Sequence, residues 1–142
     1  MAKTTFNGPV VSQNGFIDGH QVVAANAIDA TATATAAQVV AGYITSTSVG
    51  TVTITLPTGT LLGAALGATQ GTTLDLFIDN TAGASVVTVA VATNGILSTG
   101  AVDASAAAGT FGDLTIASGV TGLARFTLMF SSATAYVFTR TA

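Results

Sequence analysis

Few residues in this 142-residue chain are able to do chemistry: one histidine, six acidic side chains that are all aspartate, three cations and no cysteine. His20 follows Asp18-Gly19 in a turn-like context, with no second His or Cys to complete a transition-metal site. It is expected to have a structural or solvent-facing role. Asp75 and Asp79 are the sharpest carboxylate pair, on one face of a predicted strand, but four residues of extended chain set them ~13 Å apart, too far to share a proton. No Asp-x-Asp-x-Asp-Gly loop with a closing Glu is present, so Asp18, Asp29, Asp75, Asp79, Asp103 and Asp113 read as turn caps and solubilising groups. Ser and Thr are plentiful, yet no Gly-x-Ser-x-Gly elbow frames one, and any triad would have to borrow His20. The run Gly63-Ala-Ala-Leu-Gly67 lacks the Lys and Ser/Thr of a phosphate loop. The expectation is therefore no enzyme, no catalytic residue, no cofactor and no metal.

The cations carry a different message. Lys3, Arg125 and Arg140 are too few and too scattered to neutralise a phosphate backbone, which excludes nucleic acid as a direct partner. Arg125 precedes a predicted aromatic strand and Arg140 ends the last one. Each is either a solvated rim charge or a member of an inter-strand or inter-subunit ion pair with Asp75 or Asp79.

No residue between Asp29 and Asp75 is charged at neutral pH, and only 6 % of the whole chain is charged, against about a quarter in ordinary soluble domains. Such a chain either stays soluble through hydroxyls or covers its neutral surface with sister copies or a partner, and the second is expected. Mean hydropathy is +0.69, but the best apolar stretch, Thr81 to Val102, is interrupted by Thr88, Thr93, Asn94, Gly95, Ser98 and Gly100. It reads as strand, turn and strand, not as a membrane span of about 20 apolar residues. Met1-Ala2-Lys3 leads into polar Thr4, Thr5 and Asn7 without an apolar core, so synthesis in a cytoplasm is expected.

Period-two alternation dominates from Gln21 onward. Val52, Ile54 and Leu56 alternate with Thr51, Thr53 and Thr55 until Pro57 stops the strand. Leu74, Leu76 and Ile78 oppose Asp75, Phe77 and Asp79, and Val87, Val89 and Val91 share a face. So do Phe126, Leu128 and Phe130, and, after Ser131-Ser132, Tyr136 and Phe138 of a last strand, with Val137 opposite. Weaker strands are predicted at Gln21 to Ala25, Gln38 to Thr45, Ile96 to Val102 and Phe111 to Ala117, giving eight or nine in all. One short helix is predicted at Thr60 to Leu66, lined by Leu61, Leu62 and Leu66 and limited by Gly63 and Gly67. Asp29 to Ala37 reads equally as strand, loop or linker, and Ala104 to Ala108 as a loop or one turn. Many short strands with frequent turn signals predict an all-β fold, an antiparallel, jelly-roll-like β-sandwich over residues 21–142. Residues 1–20, with Asn7-Gly8, Pro9, Asn14-Gly15 and Asp18-Gly19 around isolated apolar residues, read as an extended N-terminal arm or as an edge strand and loop.

Several phrases carry a family likeness. Thr53-Ile-Thr-Leu-Pro57, a Leu/Ala/Gly stretch, Gly71-Thr-Thr-Leu-Asp-Leu-Phe-Ile-Asp-Asn80, Val87-Thr-Val-Ala90, Ala124-Arg-Phe-Thr-Leu128 and Ala135-Tyr-Val-Phe138 together resemble small structural proteins of tailed bacteriophages. Met1 to Phe16 is similar to the amino-terminal segments of virion proteins from marine and cyanobacterial phages. The resemblance is to capsid decoration, or cement, proteins. It implies a compact β-domain, a homo-oligomer that is commonly a trimer, on the outer capsid surface of the virion, clamping neighbouring subunits of the major capsid protein lattice. Lys3, Thr4, Thr5, Phe6, Asn7, Pro9, Val10, Val11, Phe16 and Ile17 would then form a capsid-binding arm that adds a strand to a shell edge. The alternative is a head-fibre or tail-associated domain that binds a host glycan, for which Tyr43 and Tyr136 are the polar aromatics. An outer-membrane barrel is disfavoured because aromatic girdles are missing from a chain that is 6 % aromatic.

Overall fold

A computed structural model of the chain describes residues 26–97 and 114–141. The predicted arm, His20 and the strand at Gln21 to Ala25 lie outside these residues, as do Asp103, Asp113, the loop Ala104 to Ala108 and parts of the predictions at Ile96 to Val102 and Phe111 to Ala117. Among the described residues the protein is mostly β, with two short helices and two mixed sheets and no closed barrel.

The strands are β1 (Ala32–Thr33), β2 (Tyr43–Thr45), β3 (Val52–Thr55), β4 (Thr73–Asp79), β5 (Val87–Ala90), β6 (Gly95–Leu97), β7 (Thr115–Ile116), β8 (Leu123–Ser132) and β9 (Ala135–Arg140). The helices are α1 (Ala36–Val40) and α2 (Gly59–Leu66). One sheet has the order β1-β3-β5-β7, the other β2-β4-β8-β9-β6. From β1 to β8 each strand therefore lies in the sheet opposite to its predecessor. Only the β8–β9 hairpin keeps the chain in place.

This alternation corrects the expectation of antiparallel pairing. As far as β5 the connections reverse the chain as they carry it across, so β1 with β3, β3 with β5 and β2 with β4 run the same way and are parallel, as is β6 with β9. The pairs β4–β8, β5–β7 and β8–β9 are antiparallel as expected. Period two survives, because it reports which face is buried and not the direction of the neighbouring strand. Val52, Ile54, Val87, Val89 and Ile116 of the four-stranded sheet join Ile44, Leu76, Ile78, Phe126, Leu128, Phe130, Tyr136 and Phe138 of the other in one hydrophobic core. Phe126 and Phe138 stack with ring centroids 4.8 Å apart, which adds an aromatic pair to the buried area.

Three local expectations are overturned. The predicted strand Gln38 to Thr45 begins as α1, because Thr35 and Gln38 form a capping box: the Gln38 N–H donates to Thr35 Oγ1 at 3.2 Å, and the Thr35 N–H donates to Gln38 Oε1 at 2.8 Å. Two satisfied donors nucleate a turn that Val39 and Val40 would not start alone. In α2, Leu62 is buried and Leu66 packs on the core, but Leu61 is exposed. Gly63 does not end that helix: a Cβ there would lie 1.9 Å from the Ala133 carbonyl oxygen, so the bare backbone lets α2 seat on the β8–β9 turn. Gly67, at φ 60°, supplies the left-handed cap. The chain reverses at Ala133-Thr134, with Ser131 and Ser132 still in β8.

The ambiguous stretch Asp29 to Ala37 resolves into β1, the Thr35 cap and the start of α1. Tyr136, fully buried, reaches from β9 to donate its hydroxyl hydrogen to the Pro57 carbonyl at 2.9 Å, pinning the corner where β3 meets α2.

Candidate functional site

Three uncharged connections meet at one end of the two sheets: residues 46–51 between β2 and β3, 80–86 between β4 and β5, and 117–122 ahead of β8. Asn80 is their hub. Its Nδ2 donates to the carbonyls of Ser85 at 2.8 Å, Ala117 at 3.0 Å and Ile116 at 3.2 Å, and its backbone N–H donates to the Gly122 carbonyl at 2.7 Å. Its Oδ1 is buried without a partner and lies where a Cβ on Gly83 would come within 2.0 Å, so only glycine fits there. The Ser46 N–H donates to the Asp79 carbonyl, the Ala84 N–H to the Ser48 carbonyl, and Thr51 and Ser85 share a hydroxyl contact. Asp29 braces the first loop by accepting from the Thr47 N–H at 2.6 Å.

Apolar tips project from this frame. Val49 is 87 % exposed, Val120 fully exposed and Val86 partly exposed. Exposed valines on hydrogen-bonded loops are apolar surface that water solvates poorly and that an apolar partner would cover. The sequence signal was modest: Val49 and Val120 are each a single branched apolar residue among Ser, Thr, Gly and Ala. Period-two reading passes over Val49 and Val120 because they belong to no strand.

The outer face of the five-stranded sheet is the second surface. Tyr43, Phe77 and Arg125 stand in one cross-strand row, and Asp75, Thr127 and Thr139 in the next. Arg125 Nη2 donates to Asp75 Oδ2 at 2.9 Å, and the Thr127 hydroxyl donates to Asp75 Oδ1 at 2.7 Å, so Arg125 and Asp75 form an inter-strand ion pair. Asp79 accepts instead from the Thr81 hydroxyl and N–H and from the Tyr43 hydroxyl. The Thr81 hydroxyl, then Tyr43 and the Thr81 N–H, hold its carboxyl below the usual carboxylate range, while the bond to Asp79, aided by burial and the nearby charge, pushes the Tyr43 phenol up. Asp79 is thus held ionised and Tyr43 protonated, the reverse of what a base or acid poised near neutrality requires. Arg140 is buried at the end of β9, donates to the Thr115 carbonyl at 2.8 Å and sits 6.0 Å from the Phe126 ring centroid.

The other outer face has a different character. Thr53, Thr88 and Thr115 align in one row across three strands, and Thr33 and Thr55 in the next. This face is paved with hydroxyls. Among the described residues no group of three His, Cys, Asp or Glu side chains could hold a metal ion, and no helix is long and apolar enough to cross a membrane. The proposed arm residues Lys3 to Ile17 fall outside the described residues. Comparisons with protein-family models, with curated proteins and with solved structures find no match.

Proposed function

We propose that this chain is a non-enzymatic virion structural protein: a self-associating β-domain that decorates and stabilises the outside of an icosahedral phage capsid by bridging subunits of the major capsid protein lattice. The observation that carries the reading is the braced loop end, where Val49, Val86 and Val120 project from three uncharged connections, two of them joined by Asn80 and the first tied to them by the Ser46–Asp79 and Ala84–Ser48 backbone bonds. A rigid apolar tip offers burial at little ordering cost, Val49 and Val120 each contributing about 1.5–3 kcal/mol if fully covered and the already half-buried Val86 less. The two sheets around one core form a jelly-roll-like sandwich in this proposal, with binding loops gathered at one end. The phrase resemblance to phage decoration proteins supplies the shell as partner. A binder that spans neighbouring subunits adds its free energy to the closed lattice by mass action, and several copies held together gain from effective concentration. No cofactor, nucleic acid or membrane takes part. Residues 2–17 act as an arm onto the shell, anchored by Phe6, Val10, Val11, Phe16 and Ile17.

The test is co-sedimentation of the purified protein with bare expanded capsids. The wild-type chain is expected to saturate a fixed number of sites. A Val49→Asp, Val120→Asp double variant should lose most occupancy while keeping its circular dichroism, because each aspartate would have to be desolvated at the contact. Deletion of residues 2–17 should do likewise. A wild-type chain that leaves capsids bare, or a double variant with undiminished occupancy, refutes the assignment of the loop end.

A further inference from the structure

We infer that the outer face of the five-stranded sheet is covered by a second copy of this chain, the two related by a two-fold axis that crosses the strands at the level of Phe126. This goes beyond the decoration reading and needs no shell. The two outer faces differ in kind. Rows of threonine on the four-stranded sheet satisfy themselves with water, whereas the five-stranded sheet presents Tyr43, Phe77, Arg125, Leu123 and Met129. Aromatic, Met and Arg side chains are the types enriched at protein interfaces.

The face is complementary to itself. The outward residues of β8 include Leu123, Arg125, Thr127 and Met129, a set of four centred on Phe126, with Ser131 beyond them at the turn. A two-fold axis lying in the interface and running across the strands sets β8 antiparallel over its counterpart, so a residue before 126 meets the residue equally far after it. Leu123 then covers Met129 of the second copy, and each of these side chains is 52 % exposed in the single chain. Arg125 comes over Thr127 of the second copy, whose register neighbour on β4 is Asp75. Each arginine therefore keeps its own Asp75 and meets the Asp75 opposite, closing a ring of two positive and two negative charges with Leu/Met contacts on either side. A two-fold running along β8 would instead set Arg125 on Arg125, so charge selects the first arrangement. Facing sheets pack about 10 Å apart, which leaves room for Leu and Met to interdigitate. Such an interface is isologous and closes on itself, giving a pair or an assembly of pairs.

The chain has no cysteine, which makes cross-linking unambiguous. Leu123→Cys and Met129→Cys are made separately, at exposed positions whose replacement leaves the core untouched. Within one copy the two sites lie about 20 Å apart along β8, far beyond disulfide reach. Mild oxidation of the equimolar mixture should give a covalent dimer on a non-reducing gel, while either variant alone gives little. A second pair of variants reads the charges. Arg125→Asp and Asp75→Arg should each dissociate, by sedimentation velocity, at concentrations where the wild-type chain pairs, and mixing them should restore a heterodimer, since each copy then meets opposite charge. A mixture that fails to cross-link, Leu123→Cys alone linking as well as the mixture, or a wild-type chain of odd copy number or monomeric at high micromolar concentration overturns the inference. Because no capsid is present, these outcomes are separate from the failure of the decoration reading.

Discussion

Replacing Asn80 should loosen the whole loop end at once. Its side chain is fully buried, and Nδ2 faces three carbonyls with two hydrogens to share. In Asn80→Ala those carbonyls lose their donor, and leaving a buried polar group unsatisfied costs about 1–3 kcal/mol each. Two hydrogens limit the loss to about two full bonds, and the Ser85 and Ala117 contacts are only part-buried, so a destabilisation of about 3 kcal/mol is expected. In a domain of this size that lowers the melting temperature by about 10 °C. Asn80→Asp keeps the shape and should be worse at neutral pH, because a carboxylate replaces the donor opposite carbonyl oxygens. Burial and those oxygens raise the folded pKa of this aspartate above the unfolded value of about 3.9. Its deficit is therefore fully present above that folded pKa and shrinks as acid protonates the carboxyl. Urea titrations followed by far-UV circular dichroism at neutral and acidic pH measure both effects. If Asn80→Ala shifts stability by less than about 1 kcal/mol, or if the Asp variant has no acid-dependent recovery, the hub assignment fails.

Three further outcomes are expected. Gly63→Ala should destabilise by about 2 kcal/mol despite its helix-propensity gain, since its Cβ would strike the Ala133 carbonyl and push α2 off the β8–β9 turn; chemical denaturation reads this directly. Asp79 has a lowered folded pKa and Tyr43 a raised one. Stability from Asp79 is thus present above about pH 3.9 and lost as pH falls through its lowered folded value, while that from Tyr43 is present below about pH 10 and lost on going higher. Asp79→Asn should flatten the acid limb of a stability–pH curve and Tyr43→Phe part of the alkaline limb, the remainder belonging to Tyr136, whose burial raises it too. Asp75→Asn should cost the single chain under about 1 kcal/mol, because the partners of its ion pair are 39 % and 45 % exposed; a thermal melt at high dilution checks this.

The strands were legible because Val52, Ile54, Leu74, Leu76, Ile78, Phe126 and Phe138 alternate with Thr or charged neighbours, and burial obeys that period in any pairing. Direction was not legible. Nothing in Thr51 to Leu56 tells whether the next strand folds back beside it or crosses to the other sheet. The capping box at Thr35-Ala-Ala-Gln38 was written in the chain, yet the adjoining Val39-Val40 argued for a strand, and two backbone hydrogen bonds outweighed that propensity. Leu61 and Leu62 are equivalent as types, and only the tilt of α2 on the turn decides which one faces inward. The Arg125–Asp75 pair was half visible, as a cation near an aromatic strand, but its partner depended on the β4–β8 register. The valine tips and Asn80 carry no motif, since their importance comes from where three distant loops converge.

The route of the backbone has a price in time. The middle of the five-stranded sheet is supplied by β8 and β9, the last strands described, and β6 waits at the rim for β9 to arrive. A nascent polypeptide on the ribosome thus exposes half-finished sheets until residue 140 has emerged, and most pairings then join sequence-distant partners. Contacts of that kind slow folding and leave sticky intermediates. Production at lowered temperature or with chaperone support should therefore raise the yield of native material more than it would for a hairpin-built protein of equal length.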